Sequence, residues 1–136
     1  MRYLGIDLGS KPVGLAMSDP TATIASSFKT IFFSNEDYKS TIPEIKQIVT
    51  DYNIKKIILG LPKNMNNTLG ERAEITLKYK ELLEENISVP VELLDERLTS
   101  VISNSILIEA DISRKKRKKV IDSVAATIIL QTYLDM

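Results

Sequence analysis

Three acidic residues occupy positions where a carboxylate is costly. Asp7 sits inside an apolar segment, GIDLGS; Glu96 follows another, VELLDERLTS; Asp122 lies on the inward stripe of a helical pattern, KKVIDSVAATIIL. A carboxylate facing apolar surroundings needs compensation. A divalent cation held by oxygen ligands would compensate all three at once. Such a cation lowers the pKa of bound water and offsets charge on phosphoryl oxygens, so the chemistry these residues suggest is metal-dependent phosphodiester hydrolysis. Two of them also have plainer roles open: Asp7 as a strand-end carboxylate bonded to a turn amide, and Asp122 as a first-turn acid favoured by the helix dipole.

Composition narrows the chemistry further. The 136-residue chain contains neither cysteine nor histidine. Disulfides, thiolate nucleophiles, Ser-His-Asp hydrolysis, histidine general-base catalysis and Cys or His zinc sites are therefore excluded. Carboxylate, lysine, hydroxyl and metal-assisted chemistry remain.

Net charge is zero, but it is unevenly spread. Arg114, Lys115, Lys116, Arg117, Lys118 and Lys119 hold six of the 18 basic residues, which leaves twelve basic against 18 acidic residues elsewhere. A cationic patch on an acidic body suits a polyanion met at one face. A solvated helix start or loop is the plainer alternative. Lys63, in the polar loop LPKNMNNTLG, and Arg97, beside Glu96, are further candidates for phosphate contact. Gly60 and Gly70 flank that loop and would permit unusual backbone geometry.

These residues need a scaffold. Residues 3–8 read as a buried strand and residues 13–18 as an antiparallel partner across the turn GSKP. A third strand is expected between Ile24 and Phe33. Residues 35–53 carry a helical stripe of Ile42, Ile45, Ile48 and Val49, with Pro43 in the first turn. Residues 55–60 form a short buried strand. Residues 71–86 follow as a helix with Ile75, Leu82 and Leu83 inward, and residues 89–94 as another strand. Two last helices, 100–109 and 120–134, are joined through the basic run. Asp122, Ala126, Ile129 and Tyr133 share one face of the latter. The order predicts a mixed α/β sheet, a three-strand antiparallel meander plus βαβ units, with helices on its faces.

On the first strand, Asp7 shares a face with Gly5 and Gly9, whose missing side chains would leave room beside the carboxylate, and a glycine in a strand often marks close approach of a ligand or another backbone. Asp95 and Glu96 are adjacent and point oppositely unless the chain bends there. Thr99 or Ser100 could cap the helix that follows. No aromatic-rich stacking platform for single strands is evident.

Together the stretches GIDLGSKPVGLAMSDP, GLPKNMNNTLGERAE, LLDERLTSV and SRKKRKKVIDSVAATIILQTYLD resemble the YqgF/RuvX family of Holliday-junction-resolvase-like nucleases. They recur in family order and span nearly the whole chain. The resemblance implies a single ribonuclease-H-like nuclease domain over residues 1–136. It also implies an acidic triad of Asp7, Glu96 and Asp122, magnesium or manganese as cofactor, and a structured nucleic-acid substrate, precursor 16S ribosomal RNA at its 5′ end. Lys11 matches the lysine of the family's first turn, and Pro12 stands where a basic residue is usual. If two metals bind roughly 3.5–4 Å apart, Asp95, Asp19 or substrate phosphates would have to complete their shells.

Three rival readings are set against this one. An actin- or Hsp70-type ATPase also opens on a GIDLG strand but needs two lobes. A non-catalytic nucleic-acid-binding module would gain nothing from acids facing phosphate. A resolvase of junction DNA would use the same residues. No apolar run approaches the ~20 residues that span a bilayer, and MRYLGID lacks the form of a signal peptide; a cytoplasmic protein is expected. Oligomeric state is not legible.

Overall fold

A computed structural model describes residues 1–9, 12–34, 37–62, 70–96 and 114–136, with side chains of the last segment from 124 onward. Lys11, Lys63, Arg97 and the expected helix over 100–109 lie outside the described residues. So do the side chains of Arg114, Lys115, Lys116, Arg117, Lys118, Lys119 and Asp122.

Five strands form one sheet: β1 (Arg2–Leu8), β2 (Pro12–Ser18), β3 (Ala25–Phe32), β4 (Ile54–Leu61) and β5 (Val91–Asp95). Their order is β3-β2-β1-β4-β5. The first three are an antiparallel meander, while β4 and β5 add in parallel beside β1. The short turn after β1 permits only an antiparallel return. The crossovers to β4 and β5 carry helices, as parallel connections require. These are α1 (Ile42–Asp51), preceded by a 3-10 turn at Tyr38–Thr41, and α2 (Glu71–Asn86). The last helix, α3, is Arg114–Leu134.

Strand alternation builds a core on each face. On one side Leu4, Ile6 and Leu8 of β1 pack with Ile42, Ile45 and Ile48 of α1 and Tyr79 and Leu83 of α2. On the other, Ala16, Ile58 and Leu94 of the sheet pack with Ala126, Ile129 and Leu130 of α3. The stripe expected on α1 is present, with Val49 half-buried against the core. On α2 the buried residues are Ala73, Thr76, Tyr79 and Leu83; Ile75 and Leu82 pack only partly. Two polar residues join that stripe because their hydroxyls are satisfied. Thr76 donates to the Arg72 carbonyl at 2.9 Å, and the Thr41 and Tyr79 hydroxyls meet at 2.6 Å.

One boundary differs from expectation in a way that matters for the site. The six basic residues are not a connection ahead of a helix that starts at 120; they are themselves helical, within α3 (Arg114–Leu134). Cations at a helix N-terminus oppose the macrodipole, so this start costs stability that apolar contacts further along α3 offset.

Candidate active site

Asp7 lies one residue from the end of β1, on the face covered by α3. Its face is fixed by Gly5, two residues earlier. A Cβ on Gly5 would come within 2.8 Å of the Leu130 Cβ and 2.9 Å of the Ala126 carbonyl. Gly5 therefore does not leave open space beside the carboxylate, as the sequence suggested; the α3 backbone fills it. Gly9 is also committed: its N–H donates to the Pro12 carbonyl at 2.8 Å, and a Cβ there would strike that same oxygen.

Glu96 reaches the same place from β5. That strand stops at Asp95, paired with Leu61, and the chain bends at the next residue. Alternation puts Glu96 on the same face as Leu94, the face covered by α3, and there it lies over Gly60, while Asp95 points to the opposite face. A Cβ on Gly60 would lie 2.7 Å from Glu96 Oε1 and 2.5 Å from Ile129 Cδ1, so only glycine admits the acid here. Gly60 acts through this steric gap and has no positive φ; Gly70, with φ −96° and ψ −176°, is an ordinary extended N-cap of α2.

The Asp7 and Glu96 carboxyl groups share a hydrogen bond. Burial pushes the Asp7 carboxyl up to about 8, the Glu96 hydrogen bond and charge push in the same direction, and the Arg72 guanidinium opposes them. Two carboxyls in contact cannot both stay ionised without a positive partner. At neutral pH a proton fills that role on Asp7.

This arrangement fits a hard divalent cation. Two carboxyl groups converge from different strands, and Gly60 lets the Glu96 and Ile129 side chains lie directly over β4. Oxygen donors of this kind suit magnesium or manganese. Among the described residues no three acids, histidines or cysteines form a cluster. The backbone of α3 carries position 122 one helical turn before Ala126, and Ala126 packs on Gly5. A turn rises about 5.4 Å, comparable to the two-residue step from Gly5 to Asp7 along β1. The helix and strand thus run side by side toward the acidic pair.

Arg72 is the contributor that sequence reading passed over. It stands in the first turn of α2, and its Nη2 donates to the Leu8 carbonyl at 2.8 Å, one residue beyond Asp7. It ties the end of β1 to α2 and puts positive charge near the acidic pair. Its signal in the sequence was its place in GERAE, directly after the polar loop. Asp19, by contrast, is remote. It follows the end of β2 that pairs with the start of β1, where Tyr3 N–H donates to Ser18 Oγ at 2.9 Å. Its carboxylate accepts from the N–H groups of Thr23 (2.8 Å) and Ile24 (2.9 Å), which hold it well below the usual carboxylate range. It cannot complete a metal shell at Asp7. No helix among the described residues is long and apolar enough to cross a membrane.

Comparison with known proteins adds family and fold. The family RuvX, described as Holliday junction resolvase, matches residues 1–136. A protein of Listeria monocytogenes serotype 4b named "Putative pre-16S rRNA nuclease" is 50% identical over 135 residues, covering 99% of this chain and 98% of its own. A Clostridium acetobutylicum protein of the same name is 49% identical with the same coverage. Among solved structures, Thermus thermophilus RuvC in complex with a Holliday junction substrate aligns over 100% of this chain and 97% of its own, with TM-score 0.62 and 13% identity. Fowlpox virus resolvase with Holliday junction DNA aligns over 99% and 97%, with TM-score 0.62 and 15% identity. The sheet and its helices are therefore the ribonuclease-H-like fold of resolvases.

Proposed function

This chain belongs to the RuvX family of resolvase-like nucleases, and from that premise we propose that it is a metal-dependent nuclease that processes the 5′ end of precursor 16S ribosomal RNA. Cleavage of phosphodiester bonds is the family's activity, and the chain is a hydrolase of that class. Asp7, Glu96 and Asp122 are the residues we assign to catalysis and to holding magnesium or manganese. The observation that carries this is the hydrogen-bonded Asp7–Glu96 pair, whose shared charge is tolerable only with a proton or a cation between them.

When bound, the cation supplies the positive charge that acidifies water and offsets charge building on the scissile phosphate. The protein's own groups do the rest. Asp7 and Glu96 would hold the cation, whose charge would relieve the strain between their carboxyl groups. Arg72, anchored on the Leu8 carbonyl, holds the end of β1 against α2. Gly60, having no side chain, lets Glu96 lie against β4 next to Ile129. The basic run at the start of α3, together with Lys11, Lys63 and Arg97, supplies phosphate contacts. A helix that opens on six cations is electrostatically ill-suited to stand alone; a polyanion laid across it removes the conflict.

The carboxylate pair argues against a purely binding role, because acids facing phosphate repel it unless a cation intervenes. Relatives at 50% identity carry the ribosomal RNA name, while the junction-bound structures stand at 13–15% identity and speak for the fold. RNA is accordingly the first substrate to test. The site would draw on β1, β5 and α3, from both ends of the sequence, so residues 1–136 are treated as one domain. We take the protein to work in the cytoplasm, where ribosomes are assembled. The deciding assay incubates the purified protein with precursor 16S RNA and with junction DNA, each with and without manganese. Manganese-dependent shortening of the RNA at its 5′ end supports the reading; cleavage of junction DNA alone transfers the activity to recombination.

A further inference from the structure

Edge strands are usually kept polar, since an exposed apolar edge invites aggregation. Strand β3 is an edge of this sheet, and its exposed positions Ser26, Ser27 and Lys29 follow that rule. Phe32 breaks it, with 69% of its surface exposed. The other large exposed apolar residues among those described have local explanations. Met1 and Met136 are the chain ends, Ile24 belongs to the far turn, and Tyr52 packs edge-to-face on Phe28 with ring centroids 5.2 Å apart. Phe32 has no such partner among the described ring contacts.

Its position is informative. Ile31 and Phe33 on either side both enter the core shared with α1 and α2, so alternation aims Phe32 at the opposite face, that of Asp7. Register fixes its level. Asp7 pairs with Gly14 and Gly14 with Thr30, while Phe32 pairs with Pro12 at the same end of the sheet as Leu8. Two strand spacings separate Asp7 from Thr30, roughly 10 Å, and Phe32 lies one same-face step further toward the sheet end. An exposed aromatic ring thus stands on the face of Asp7 and at the same end of the sheet, two strands away.

We propose that Phe32 is a substrate-binding residue, a single stacking surface for an unpaired base next to the phosphate held at Asp7 and Glu96. This rests on the nuclease reading above. Every base has a π-face that can lie on such a ring, and that contact does not depend on sequence. One ring, flanked by Pro12, gives a preference for substrates with unpaired nucleotides beside the cleavage point rather than for continuous duplex.

The test measures affinity in an Asp7→Asn background, so that substrate stays intact, for a short single-stranded RNA and for a blunt duplex of the same length. Phe32→Ala and Phe32→Leu should weaken binding of the single strand by roughly 5–100-fold while leaving the duplex within about twofold, and Phe32→Tyr should restore it. Thermal unfolding of each variant accompanies the titration and should match the parent, because the ring buries little. Equal loss on both RNAs, a leucine as good as phenylalanine, or a parent that does not bind the single strand overturns the stacking role. Failure of the underlying reading looks different: the Asp7→Asn parent would itself degrade the RNA.

Discussion

Burial raises the Asp7 carboxyl above its ordinary value, and its behaviour can be measured without any substrate. Its folded value of about 8 stands above an ordinary 3.8. Between those values the folded protein keeps a proton that the unfolded chain has lost, so metal-free stability should fall as pH rises from about 4 to about 8. Chemical denaturation across that range checks the slope. Asp7→Asn should flatten it, because the amide neither titrates nor repels Glu96. The same variant should be at least as stable as wild type at pH 8 without metal, and should lose cleavage entirely. Wild-type cleavage in a clean Asp7→Asn preparation would remove Asp7 from the chemistry. At this scale the sequence was informative about Asp7 and Glu96, because an acid inside or just after an apolar strand is visible as an anomaly. It was uninformative about Arg72, and of the two readings open at Gly5, free space and close approach of another backbone, only the second holds, because which helix would approach which strand is decided by packing across a hundred residues.

Helix α3 carries two separable contributions. Its apolar half clamps the sheet where Gly5 lets the backbones meet. Gly5→Ala should cost roughly 1–3 kcal/mol in urea unfolding, since the added carbon overlaps Leu130 and the Ala126 carbonyl and α3 must shift to accept it. Activity should fall with it, because that shift moves the helix bearing Asp122. The basic half should act through phosphates. Replacing Lys115, Lys116, Lys118 and Lys119 with Gln should weaken RNA binding for all sequences alike. The slope of log affinity against log salt should fall by roughly 0.7–0.9 per lost contact. An unchanged slope would reduce the run to a solvated helix start. The helical stripe of 120–134 was readable from its period. The helical state of the basic run was left open between helix start and loop, because lysine and arginine are good helix formers while six cations at an N-terminus oppose the macrodipole.

Across the whole molecule, the meander, the two crossovers and their helices followed from hydrophobic period and connection length; the sheet order did not, since β4 pairs with β1 and not with its sequence neighbour β3. The acids were harder to join. Asp7, Glu96 and Asp122 are spread over most of the sequence, and neither composition nor spacing brings them together; the parallel addition of β4 and β5 beside β1 does, for the two whose side chains are described. Which of Asp95 and Glu96 faces Asp7 follows from alternation only once Leu94 is known to pack on α3, and nothing in DERLTS says so. The central claim is that carboxylates from both ends of the chain meet at one cation. Calorimetric titration of manganese at pH 7 tests it most directly, on wild type and on Asp7→Asn, Glu96→Gln and Asp122→Asn. The account predicts that wild type binds manganese with release of a proton. Each variant should lose more affinity than the 10–100-fold that changes one shell further out cost, with the proton release gone in Asp7→Asn. Unchanged manganese affinity in Asp122→Asn, or binding by wild type without proton release, would contradict it.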